Sequence, residues 1–148
     1  TEIYTLSLHD ALPIYMRDYD LDFWEKFENP GGKSYSDPRE HVLAYIRVLS
    51  TRAVREGYRG CGLSNATVEY PSRDNPARQV AEAHKKVFRK RLRELAAGMG
   101  ARQPAVLGDA LLLLIEGIYS TGQQSEEGPA QSALAVAKLL IDASVTKG

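Results

Sequence analysis

Apolar residues recur along the chain at intervals of three and four, the spacing of one helix face, and nowhere alternate strictly as in a strand. From about Met16 to Glu28, Tyr19, Phe23 and Phe27 stand four apart and predict one inward aromatic stripe. Asn29-Pro30-Gly31-Gly32 stops that segment. Asp37-Pro38-Arg39-Glu40 then combines a capping aspartate, a proline suited to the first helical position and a capping-box glutamate. Val42, Tyr45, Ile46, Leu49 and Ala53 follow at helical spacing, with Gly57 as the expected stop. The stretch from Tyr58 to Asn75 is broken by Gly60, Gly62 and Pro71, leaving room for two turns from Leu63 to Tyr70. Asn75-Pro76 opens a helix to about Met99, with Ala77, Val80, His84, Val87, Phe88, Leu92 and Leu95 expected inside. Pro104 opens another to about Thr121, and Gly128-Pro129 a last one in which Ala130, Ala133, Ala137 and Ser144 alternate with Leu134, Val136, Leu140 and Ile141. The pattern predicts an all-α fold of about five medium or long helices joined by short turns.

The helix from Pro104 to Thr121 is apolar nearly all round, so it needs cover on more than one side. Gly108 and Gly117 lie within it at a cost of about 1 kcal/mol each relative to alanine, which points to close packing at both. Its longest uninterrupted apolar run, Ala110 to Ile115, is far too short to span a bilayer, and no membrane partner is expected.

Composition agrees with one globular domain: 148 residues, 43% apolar and 26% charged, enough to bury a sizeable core without metals or disulfides. Cys61 is the only cysteine, so no intrachain disulfide can form and a reducing, cytoplasmic setting is expected. The formal charge is zero, which by itself implies neither a nucleic-acid nor a membrane partner. Thr1 to Ile14 stands apart. TEIYTLSLHDALPI resembles, without mismatch, the translation of a short-read sequencing adapter. On that reading residues 1–14 are adapter-derived, 15–148 form the domain, and the natural start lies upstream of this chain. Removing Glu2 and Asp10 leaves 17 acidic residues against 19 basic ones.

Candidate chemistry is sparse. Lys85, Lys86, Arg89, Lys90, Arg91 and Arg93 crowd together, but at 100° per residue they wrap around an apolar line instead of sharing one face. A solvated helix surface is favoured over a basic nucleic-acid-binding module. Cys61, flanked by glycines, is either a thiol sensor or a buried cavity residue, and burial is the better reading. His84 falls on an apolar face, as a switch or as a satisfied core histidine. Ser64 has no base partner in sequence, and G-x-S-x-G, H-E-x-x-H and phosphate-cradling glycine patterns are missing. No enzyme, cofactor or metal site is expected.

Three segments, GYRGCGLSNATVEYPSRDNPARQVAEAHKKVFRKRLREL, GDALLLLIEGIYSTGQ and GPAQSALAVAKLLIDA, resemble the C-terminal domain of one TetR/AcrR subfamily. Gly60-Cys61, then Asn65, then the Glu69-Tyr70-Pro71 turn ahead of the long helix carry the likeness, which extends more weakly over Tyr15 to Glu56. The resemblance implies a TetR-type C-terminal regulatory domain of a transcriptional repressor. Its last two long helices would pair with a second copy in a four-helix interface, making a homodimer. A small, mostly apolar effector would bind between the helices and move the helix leading to the DNA-binding heads. DNA contact would require an N-terminal helix-turn-helix domain, which residues 15–148 do not carry. From the helix faces, the expected effector pocket is Tyr45, Leu49, Cys61, Asn65, Phe88, Leu92, Ile115 and Tyr119. The expected dimer face is Leu107, Leu111, Leu114 and Ile118 with Ala133, Leu134, Ala137 and Ile141.

Overall fold

The computed structural model describes residues 8–122 and 128–145. Six α-helices make up the described chain: α1 (Leu8–Glu28), α2 (Pro38–Ala53), α3 (Gly62–Glu69), α4 (Pro76–Gly98), α5 (Pro104–Thr121) and α6 (Ala133–Ser144). No strand occurs among the described residues; a single bridge joins Ala101 to Val145. The all-α expectation holds.

The proline-marked starts open where the sequence places them. Asp37 Oδ1 accepts from Arg39 N at 2.9 Å and Asn75 Oδ1 from Ala77 N at 2.9 Å, each satisfying a backbone donor that the first turn leaves free. Other boundaries move. The last helix begins only at Ala133, after a 3₁₀ turn over Pro129–Ser132. α2 stops at Ala53 rather than Gly57. Ala53 is fully buried there, and a Cβ on Gly122 would stand 2.4 Å from its own Cβ. The ends of α2 and α5 thus meet in contact that only glycine permits. α1 reaches back to Leu8, so the described part of the adapter-like segment, 8–14, continues into its first turns with Pro13 inside the helix. Residues 1–7 lie outside the described residues.

The core forms where α1 crosses α2 and α4. Phe23 and Phe27 meet Phe88 with ring centroids 5.0 Å apart, edge to face, and Phe27 meets Tyr45 at 4.8 Å. Ala77, His84, Phe88, Leu92 and Leu95 are buried as expected, but Val87 is 53% exposed. It sits one residue, about 100°, round the helix from the Phe88 line, which the apolar count alone did not separate.

By length and composition α5, 18 residues at mean hydropathy 1.3, is apolar enough to cross a membrane, which the longest unbroken run did not suggest. Within the chain, one face of it is built into the core. One face packs on α4 so closely that a Cβ on Gly108 would lie 2.7 Å from the Arg93 backbone. Asp109 accepts bidentate pairs from Arg89 and Arg93, and Glu116 accepts from Lys85 at 2.6 Å. Gly117 differs: nothing lies within 4 Å of its missing Cβ, so the close packing expected there is not made within the chain.

Candidate functional site

α1 presents Tyr19, Asp22, Phe23 and Lys26 on one face, and α2 presents Tyr45, Leu49 and Arg52 at i, i+4 and i+7. Where those faces diverge they border a partly open cavity of about 100 Å³, lined further by Tyr58, Gly60 and Cys61 from the α2–α3 loop and by Tyr119 near the end of α5. Gly60 makes this arrangement possible. Its φ of +77° is disfavoured for residues with a Cβ, and such a Cβ would come 2.8 Å from the Tyr119 carbonyl oxygen. Gly62 N donates to the Tyr19 hydroxyl at 3.1 Å, tying the loop to α1.

The cavity is lined with phenols. Tyr45 and Tyr119 share a hydrogen bond of 2.7 Å. Burial raises the pKa of every tyrosine in the wall. Tyr58 is pushed up to about 12, and Tyr45 and Tyr119 higher still. All four remain neutral O–H donors at physiological pH. The Tyr58 hydroxyl is buried and has no hydrogen-bond partner among the described residues. Asp22 is taken by Lys26 at 2.6 Å. Arg52 has no carboxylate partner among the described residues, and its charge opposes the rise at Tyr19, Tyr45 and Tyr58. On the far side of Lys26, Tyr45, Leu49 and Arg52 lies a more open hollow of about 350 Å³, bounded also by Asn29, Gly31, Gly32 and Val48.

Of the residues expected in the pocket, Tyr45, Leu49, Cys61 and Tyr119 line this cavity. Phe88, Leu92 and Ile115 are sealed in solid core, at 1%, 0% and 0% exposure. Asn65 is exposed, and its side-chain amide donates to Arg59 O at 2.8 Å, holding the loop from outside. Tyr19, Asp22, Phe23, Lys26, Arg52, Tyr58 and Gly60 also line it and are not among the expected residues. Arg52 carried a readable signal, since it shares the α2 face of Tyr45 and Leu49.

The other candidates resolve into structure. Cys61 is 3% exposed, with its thiol against Tyr19, so no accessible thiol is presented. His84 is buried; its Nδ1 donates to Asp20 Oδ1 at 2.6 Å and its ring meets Phe23 edge-on at 4.4 Å. Burial pulls its pKa below the ordinary value, partly opposed by Asp20. His41, also buried, donates from Nε2 to Phe27 O at 2.8 Å. Five of the six residues of the basic cluster form ion pairs: Lys85 with Glu116, Arg89 and Arg93 with Asp109, Arg91 with Glu28, and Lys90 with Glu94 at 3.9 Å; Lys86 has no carboxylate partner among the described residues. The two arginines hold Asp109 well below the usual carboxylate range. Lys85 does stand 3.1 Å from Ser64, but its ammonium donates to both Ser64 and Glu116 and has no lone pair to offer as a base.

The residues expected at a dimer face are mostly covered within the chain. Leu107, Leu111, Ile118, Ala133, Ala137 and Ile141 are each 2% exposed or less, while Leu114 and Leu134 are half-buried. The apolar positions left open are neighbouring ones: Val106 at 60%, Leu113 at 74%, Val136 at 37% and Leu139 at 69%, with Gly117 beside them.

The chain superimposes on a TetR-family transcriptional regulator from Streptomyces coelicolor with a TM-score of 0.82, covering 93% of this chain and 72% of that one at 23% identity. At that identity the likeness establishes the fold, which is TetR-type and all-helical. No family model matches the chain, and no curated protein matches it.

Proposed function

We propose that residues 15–148 are the effector-binding and dimerising domain of a TetR-type transcriptional repressor, with residues 1–14 adapter-derived. The observation that carries this reading is a TetR-type fold whose α1 forms one wall of a partly open, tyrosine-lined cavity. A small, mostly apolar effector enters that cavity. Four α1 side chains touch it, so any ligand that spreads or closes the cavity moves α1. In the full-length protein α1 leads to the DNA-binding heads, and their separation decides whether the operator is held. The effector acts only through its preference for the released arrangement over the DNA-bound one. The domain carries out no catalysis and works in the cytoplasm, and contact with DNA belongs to the helix-turn-helix heads of a TetR-type repressor.

A second copy of the chain covers the open faces of α5 and α6. Val106, Leu113, Val136 and Leu139 give that contact its apolar centre, and Gly117 lets the helices approach closely. Sedimentation velocity across a concentration series tests the reading. A reversible monomer–dimer equilibrium is expected; a monomer at the highest concentration would remove the dimeric repressor.

A further inference from the structure

We infer that the ligand of this cavity is an organic monocarboxylate, its carboxylate held by Arg52 and Tyr58 and its apolar body extending past Leu49. The inference rests on the effector-domain reading and names the chemical class of the effector. A count of donors and acceptors carries it. Among the lining residues the one carboxylate, Asp22, is about half exposed and accepts from Lys26 through Oδ2. Arg52 brings a guanidinium with five N–H donors and no carboxylate to receive them among the described residues. The Tyr58 hydroxyl is buried without a partner among those residues. Tyr45 and Tyr119 have two hydroxyl hydrogens but need only one for their shared bond, so one is free. The uncommitted polar groups are thus a guanidinium that can only donate and hydroxyls that are able to donate, and the wall carries a net positive charge. An oxyanion completes it, because a neutral carbonyl can accept from Arg52 or Tyr58 but leaves the guanidinium charge without a counter-ion.

Size and walls narrow the class. About 100 Å³ is less than the roughly 150 Å³ that admits benzene, so the tyrosine chamber holds a head group and little more. Beyond Arg52 and Leu49 the hollow of about 350 Å³, faced by Val48 and Leu49, has room for an aliphatic tail. Inorganic phosphate would leave these apolar walls empty.

The whole chain is titrated by calorimetry with hexanoate, hexanamide and inorganic phosphate at matched ionic strength. Hexanoate is expected to bind about tenfold or more tightly than the amide, the usual advantage of a charge-assisted pair. Affinity should rise about fourfold per methylene from butanoate to hexanoate. Arg52→Gln should bring hexanoate down to the level of the amide. Arg52→Lys keeps the charge without the fork and should fall between them. Equal binding of acid and amide, an undiminished preference in Arg52→Gln, or phosphate binding as tightly as hexanoate would each overturn the inference. Sedimentation of the same samples separates the two readings. A dimer without carboxylate preference removes this inference and leaves the repressor standing; a carboxylate-binding monomer does the reverse.

Discussion

Tyr45 and Tyr119 spend their hydroxyls on one another in a site where neither reaches bulk water, and this sets the cost of altering them. Tyr119→Phe leaves the Tyr45 hydroxyl stranded, and Tyr45→Phe does the same to Tyr119. Each single change should cost about 1–3 kcal/mol, the penalty of a buried group left unpaired. The double change strands nothing and should cost less than the two singles together. Urea unfolding of the three variants measures this, and strict additivity would show that the pair is not coupled. His84 supplies a pH dependence whose sign follows from its lowered pKa. Between the folded value and the ordinary 6.5 the unfolded chain binds the proton more readily than the folded one, so stability rises with pH through that window. Melting temperature should therefore fall as pH drops below about 6.5. His84→Asn, which keeps a donor for Asp20 but cannot titrate, should flatten that slope.

At the scale of the helix, what the sequence made legible depended on how sharply polarity marked a face. α4 has a clean apolar line among charges, so His84, Phe88, Leu92 and Leu95 could be assigned inward, with only Val87 at the rim misplaced. α2 and α4 announce themselves by cap and proline. α5 is apolar on every side, so periodicity showed that two faces need cover without showing which one the chain itself supplies. That is why Leu107, Leu111 and Ile118 were expected at a partner and lie instead in the core. The cavity was half legible for a different reason. Tyr45, Leu49 and Tyr119 look like wall residues, but Tyr19 and Phe23 read as ordinary core, and the charge of Arg52 masks the face it shares with Tyr45 and Leu49. The glycines of α5 test the packing directly. In Gly108→Ala the new methyl would meet Arg93 backbone at 2.7 Å, and backbone cannot swing aside. Overpacking of about 1–3 kcal/mol should outweigh the ~1 kcal/mol that alanine returns in helix propensity. A variant as stable as the parent would mean that α4 and α5 lie further apart.

The whole molecule poses one question that the isolated chain leaves open, namely what covers Val106, Leu113, Val136 and Leu139. Two helices that pack on one another each show large aliphatic side chains to water, and Leu113 alone is 74% exposed. Single exposed apolar residues are ordinary on proteins; a contiguous set across neighbouring helices marks an interface. If a second copy sits there, a charge at its centre must either be desolvated or separate the subunits. Leu113→Lys should then shift the monomer–dimer equilibrium toward monomer by at least about tenfold while leaving the melting of the monomer nearly unchanged, because the side chain touches little within its own chain. Gly117→Ala sharpens the test, since its effects on the two states have opposite signs. Within one chain the added methyl meets nothing within 4 Å, so the monomer should gain up to about 1 kcal/mol of helix propensity. Between chains the same methyl would hold the two α5 helices apart and weaken the dimer. Gain and loss appearing together, the first in thermal melting at low concentration and the second in sedimentation, would place the partner on this face. A gain with no change in association would place it elsewhere.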